Sequence, residues 1–401
     1  MREAQILKAS TNAAFPESKS SWMLKAICFL FFINLIIPVL DFSYNILGID
    51  LEIIKKALFL SILGLSFLFH LNNKILISFE SGLFCLFFPI AAFLGIYFNG
   101  LSSYIDLHIF AVVIPVMMIS FGRHFYRLLN DQLIKFLFKL LNMAFYINLL
   151  LLILYIIFHH ILDMWGYYGF GASTAFISAY LLSQRQFARF FLSFVLDIFS
   201  GKRTSLVVII SLYLIYSGNF SKFNIRTFLF SILFISSLSF IISNLGEYDF
   251  FRRLLLVTEI EFDDAVSVMM ATGGRATEVI SIIEYFDGDL IKWLLGSGLG
   301  SSYEYVDPRL GFSVERMHYA HFSPFSYILV FGSVFTFLLY SSFFYRLIKG
   351  FRHRTNFFYL IFLAFFLLSF FGSILFVQPI PWFFFGIMIE FLRDTKQQSS
   401  L

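Results

Sequence analysis

Apolar runs of about 18 residues or more, with few charges and repeated along the chain, constrain this sequence more than any other feature. That is the length a helix needs to cross the hydrocarbon core of a bilayer. Charged residues fill only 13% of the 401 positions, against about 25% in a soluble globular domain. A soluble core of that make-up would have nothing left to cover its surface. The chain therefore reads as an all-α polytopic membrane protein. A soluble enzyme, a nucleic-acid-binding domain and a small disulfide-stapled secreted module are excluded. Cys28 and Cys85 both fall inside apolar runs and read as small buried hydrophobes, not as a disulfide or metal site.

Spans are expected at roughly 22–40, 53–71, 79–98, 104–121, 137–158, 167–183, 187–200, 204–217, 226–243, 321–341, 357–376 and 379–392, about twelve helices. The chain is thus one integral membrane domain, with nine spans over 22–243, a long extracytoplasmic loop over 244–320 and three spans over 321–392. With a cytoplasmic N-terminus, most Lys and Arg collect on the cytoplasmic side, among them Arg2, Lys25, Lys74, Arg123, Arg127, Arg185, Arg346, Arg352 and Arg393. Both termini are then expected in the cytoplasm. The first span is not read as a removable signal peptide, because it lacks a small-residue cleavage site and opens a continuous series of spans.

One short loop breaks the charge rule. Ser200-Gly201-Lys202-Arg203-Thr204 falls on the extracytoplasmic side and puts two cations where insertion disfavours them. A basic turn kept there suggests an anionic partner such as a lipid phosphate or pyrophosphate. A misplaced span, or pairing of these cations with Asp197, accounts for it as well.

The long loop, from Asn244 to about Ala320, holds most of the remaining polar chemistry: Arg252 and Arg253, an acidic stretch from Glu259 to Asp264, and Gly273-Gly274-Arg275. Its length argues for short helices lying along the interface. Over 276–286, Ile280, Ile283 and Tyr285 alternate with Glu278, Ser281 and Glu284, an amphipathic pattern suited to packing on the membrane domain. Gly296-x-Gly298-x-Gly300 lacks the spacing and the βαβ context of a dinucleotide site. Its glycines permit a tight turn, or close approach of backbone N–H groups to an anion or sugar. A flexible turn ending an interfacial helix fits equally well. Arg275, directly after two glycines, is suited to bidentate phosphate binding, and a solvated loop arginine is the bland alternative.

His318 and His321 are spaced to share one face if the tenth span begins there. They offer a general base or a sugar contact, or simply a polar cap, and no recognised metal-ligand spacing accompanies them. Tyr303, Tyr305 and Tyr319 could stack on sugars, though aromatics gather at membrane interfaces anyway. Asp50, Glu52, Asp106 and His108 sit near outer span ends, where helix-dipole pairing competes with a catalytic role. Glu80 and Glu390, near cytoplasmic ends of spans, read as snorkelling carboxylates or partners of nearby Lys and Arg, not as substrate ligands.

The order of these features carries a resemblance. S-G-K-R-T lies between short central spans; G-G-R-A-T-E, L-L-G-S-G-L-G-S and H-Y-A-H-F-S follow in the long loop, before a span containing F-G-S-V. Over roughly Ser200 to Tyr340 this resembles the O-antigen polymerase and O-antigen ligase superfamily of bacterial inner-membrane proteins, the polymerase branch above all. His321 and Gly332 keep a spacing found in the ligase branch, whereas Phe322 and Phe335 depart from it. The resemblance implies a metal-independent, cofactor-free glycosyltransferase acting on undecaprenyl-pyrophosphate-linked oligosaccharide among membrane lipids, with a chain-length regulator and a flippase as partners. It implies catalytic roles for His321 and Arg275. Substrate contacts are expected from Lys202, Arg203, Arg252, Arg253, His318, Tyr319, Gly298 and Gly300. A ligase joining finished polymer to lipid A core, and a flippase for the lipid-linked sugar, are the alternatives.

Overall fold

The computed structural model describes residues 22–33, 36, 51–100, 102, 104–162, 171–199, 203–218, 275–307, 313–371, 376 and 378–398. Within these, the helices are α1 (Trp22–Ile33), α2 (Leu51–Asn72), α3 (Phe79–Asn99), α4 (Ile105–Arg127), α5 (Asp131–Leu162), α6 (Gly171–Ser183), α7 (Phe187–Phe199) and α8 (Arg203–Ser217). After the long loop's first part come α9 (Arg275–Phe286), α10 (Leu290–Leu295), strands β1 (Tyr303–Asp307) and β2 (Ser313–Met317), then α11 (Ser323–Gly350), α12 (Phe357–Ser369) and α13 (Pro379–Gln398). Among the described residues four helical segments are long and apolar enough to cross a membrane: Phe79–Asn99, Ile105–Arg127, Asp131–Leu151 and Ser323–His353. Five shorter apolar helices accompany them. The chain is a mostly helical membrane protein.

Aromatic packing and small residues hold the bundle together. Buried Phe84 on α3 meets Phe335 of α11 and Trp382 of α13 edge-on, with ring centroids 5.0 and 5.4 Å apart. Helices α4 and α13 approach through Gly122 and Gly386, where an added Cβ would strike the Phe383 and Ile119 carbonyls respectively. Without a hydrophobic drive between helices in lipid, such close backbone contact is what association relies on.

The two ends of the bundle differ. At one end Glu80, wholly buried, accepts from Arg346 Nε and Nη2 at 2.8 and 2.7 Å and from Ser342. There also Glu390 meets Arg123, Arg127 and Arg393 at 3.0, 2.6 and 3.3 Å. Both carboxylates thus pair with arginines, which is how charge is tolerated beside an apolar core. The opposite end, where α3 finishes and α4 and α11 begin, carries residues 275–307 and 313–322.

Three expectations are corrected. The loop is not purely helical: β1 and β2 form an antiparallel pair, Tyr303 opposite Met317 and Tyr305 opposite Glu315. Its signal is the two-residue alternation that buries Tyr303 and Tyr305 and exposes Glu304, so these tyrosines fill a small core with Ile282, Phe286 and Leu329 instead of presenting sugar platforms. Cys28 is buried, but Cys85 is on the exposed face of α3. On α9 the buried residues are Thr277, Glu278, Ile282 and Phe286, while Ile280 and Ile283 face outward. The apolar face read from the sequence is therefore the wrong one. The expected span at 226–243 lies outside the described residues.

Candidate functional site

The segment Gly273-Gly274-Arg275-Ala276-Thr277-Glu278 leads into α9, whose first residue is Arg275. Glu278 follows three residues later, one turn on and on the same side. Its side chain is 2% exposed, a costly position for a carboxylate unless donors surround it. His321 supplies two. Glu278 Oε2 accepts from the His321 backbone N–H at 2.7 Å, and Oε1 lies 2.5 Å from His321 Nδ1. One carboxylate so fixes both the main chain and the ring of His321. With Nδ1 donating to the carboxylate, Nε2 is left as the acceptor on a side chain 44% exposed.

The chain around His321 is held just as firmly. Ser326 Oγ accepts from Ala320 N–H at 2.9 Å and donates to Ala320 C=O at 2.8 Å. Helix α11 starts only at Ser323, with Pro324 in its first turn. His318 and His321 are therefore in the turn before the helix and not on one helical face, which corrects the expectation from spacing. His318 instead stacks on Tyr104 at 4.5 Å and 12°, and meets Tyr319 edge-on at 4.9 Å. Its Nδ1 is buried with no partner among the described residues. Burial holds the pKa of this imidazole below its ordinary value of 6.5, because desolvation disfavours the charged ring. Tyr319 lies between the two histidines, its ring 6.3 Å from that of His321.

His108, at the start of α4 and wholly buried, has both nitrogens in use. Nδ1 accepts from Gly300 N–H at 2.9 Å, and Nε2 donates to the His318 carbonyl at 2.9 Å. It fastens α4 to the glycine loop and to the turn that presents His321, which answers the ambiguity left by the sequence in favour of a structural role.

The glycine loop does make close approaches, but to backbone. Gly296, Gly298 and Gly300 all have φ near +80° (84, 80 and 79°), a region that other residues rarely occupy. Gly298 donates to Val330 C=O at 3.1 Å, Ser297 to Leu329 C=O at 2.8 Å and Leu299 to Ala91 C=O at 2.8 Å. These amides, with that of Gly300 on His108, are directed to protein acceptors and away from any anion. The two acceptors on α11 are carbonyls released by a break in that helix at Gly332, where φ is 83° and ψ 172°. A helix interrupted within the membrane must have its freed carbonyls satisfied by neighbours, and the loop does this.

The predicted residues are thus only partly brought together. Arg275, His318, Tyr319 and His321 belong to one neighbourhood at the loop-bearing end, and Gly298 and Gly300 brace it from beneath. Arg203 opens α8, which packs on α6 and α12. Lys202, Arg252 and Arg253 lie outside the described residues. Among the described residues no three His, Cys, Asp or Glu side chains converge as a metal ion would require. Glu278 is the member of this neighbourhood that sequence reasoning missed. Its signal was the four-residue spacing of Glu278, Ile282 and Phe286, which places the carboxylate on the buried stripe.

No family model, no curated protein and no solved structure matches this chain.

Proposed function

We propose that this protein is a surface-polysaccharide polymerase, a glycosyltransferase of the O-antigen polymerase type. It moves a growing glycan from undecaprenyl pyrophosphate onto a lipid-linked repeat unit at the outer side of the bacterial inner membrane. The observation that carries the proposal is the Glu278-clamped imidazole of His321, with Arg275 one helical turn before Glu278 on α9.

The reaction asks for three things. A sugar hydroxyl of the acceptor attacks the anomeric carbon of the donor, and its proton passes to His321 Nε2 as the new C–O bond forms. The anomeric bond to pyrophosphate breaks and its electron pair leaves with that group. Glu278 stabilises the imidazolium so produced, as the carboxylate of a Ser-His-Asp triad does for its histidine. Arg275, with Lys202, Arg203, Arg252 and Arg253, counters the charge growing on the leaving group. His318 and Tyr319 contact the sugars, and Gly298 and Gly300 hold the turn in place. No metal or cofactor enters the scheme.

The proposed topology has about twelve spans with both termini cytoplasmic. It is supported by the arginine clusters at the end opposite His321, the side the positive-inside bias assigns to the cytoplasm. A chain-length regulator and the flippase that delivers the repeat unit are the proposed partners.

The test is the polysaccharide ladder of a deletion strain complemented with wild type or His321→Ala. Core carrying at most one repeat unit, rescued by wild type alone, is the expected result. Full-length polymer unattached to core would indicate the ligase. Repeat units retained on the cytoplasmic side would indicate the flippase, and an unchanged ladder would remove the polysaccharide reading altogether.

A further inference from the structure

The depth of α10 and the glycine loop can be read from the helices that hold them. Helix α3 has 21 residues, about 31 Å at 1.5 Å per residue, which matches a hydrocarbon core about 30 Å thick. Its end at Asn99 therefore marks the core boundary. Leu299 donates to the carbonyl of Ala91, eight residues and about 12 Å below that boundary. The same loop meets Gly95, about 6 Å below it, where a Cβ would collide with Leu299 backbone. On the other side Ser297 and Gly298 reach the Leu329 and Val330 carbonyls, about 10 Å along α11 from its start.

A chain at this depth must satisfy its own backbone, and the amides of this one are all paired. The N–H groups of Gly296 to Gly300 donate in turn to Lys292, Leu329, Val330, Ala91 and His108. The side chains divide as lipid exposure would require. Trp293 turns inward onto Phe286 at 4.9 Å, whereas Leu290, Ile291 and Leu294 are 67, 56 and 41% exposed. On α3, Phe93, Ile96 and Tyr97 are also exposed. Lys292 extends its ammonium over Phe98 and Tyr285, at 5.3 and 5.2 Å, near the end of α3. A snorkelling lysine does the same at a bilayer surface.

We propose that residues 290–300 form a re-entrant segment, dipping into the leaflet nearest His321 with Leu290, Ile291 and Leu294 against phospholipid acyl chains. The backbone of a re-entrant loop is tolerated only when buried in protein, and the glycines allow that burial between α3 and α11. The inference is independent of the reaction catalysed.

The test uses the full chain in phospholipid nanodiscs, with Cys28→Ser and Cys85→Ser as background. Ile291→Cys and Leu294→Cys are labelled with an environment-sensitive fluorophore, and Phe93→Cys and Glu304→Cys serve as the lipid and water references. Blue-shifted emission, quenched by lipids carrying a nitroxide on the acyl chain as at position 93, is expected. Red-shifted emission, quenched by aqueous iodide as at position 304, would overturn the proposal. If the cysteine-free background does not fold, a carbene-generating phospholipid on the unmodified protein decides the matter. Adducts on 290–294 support insertion, and adducts on α3 without any on 290–294 refute it.

Discussion

A buried carboxylate survives at Glu278 because one neighbour gives it two donors, and this bond sets what His321 can do. Replacing Glu278 by Gln keeps the shape and an acceptor for the His321 N–H but removes the charge that favours imidazolium. Under the proposed polymerase reaction, turnover of lipid-linked repeat units by Glu278→Gln is expected to fall about 10²–10⁴-fold, with KM for the acceptor little changed and thermal stability close to wild type. Equal losses in kcat and stability would assign Glu278 a purely structural part. His318 makes a separate prediction. Its folded pKa lies below the ordinary 6.5, so its contribution to stability is present above pH 6.5 and is lost as pH falls through the folded value. His318→Phe keeps a ring on Tyr104 without a titrating group, and its unfolding temperature should depend less on pH over that acid range. His321 and Arg275 were legible as residues because each closes a short distinctive motif. Glu278 was not, because charge in an amphipathic pattern is read as solvent-facing until its buried partner is known.

At the scale of elements the informative object is the interlock of the glycine loop with α3 and the break in α11. Gly298 has φ +80°, and a Cβ there would run into Gly95 N and the Ala91 carbonyl. Gly288 has φ +70° with open space around it. Gly288→Ala should cost about 1–2 kcal/mol, the backbone term alone. Gly298→Ala should cost about 3 kcal/mol or more, since neither partner backbone can yield. Thermal unfolding of both variants in one detergent separates the terms, and equal costs would show that the loop is not gripped. The alternating glycines were visible in the sequence, and so was the permission they give for close approach. What was approached could not be read, because it depends on α3, some 200 residues earlier in the chain. The β1–β2 pair escaped for a similar reason: five-residue strands in a polar loop show their alternation only once Tyr303 and Tyr305 have a core to enter.

Among the described residues, the arginine–carboxylate clusters of Glu80 and Glu390 occupy one end of the bundle, and the Glu278–His321 pair with the glycine loop the other. The apolar runs made the membrane class legible at once, since crossing a bilayer is a matter of length and hydropathy. The grouping of short helices around the long ones was not legible, because lipid imposes no periodicity on residues buried on every side. Orientation is checked with single cysteines at the two ends. Glu304→Cys should react with a membrane-impermeant thiol reagent in cells whose outer membrane alone is permeabilised, and Arg352→Cys only after the inner membrane is opened. The reverse pattern would invert the topology. The interlock also has a place in time. The loop leaves the ribosome long after α3 and shortly before α11, yet it is the piece that completes the broken ladder of α11. Until Gly332 has followed it into the membrane, the loop has one wall and no second. The His321 turn, which hangs from the same elements, is therefore among the last parts of the protein to acquire its shape during synthesis.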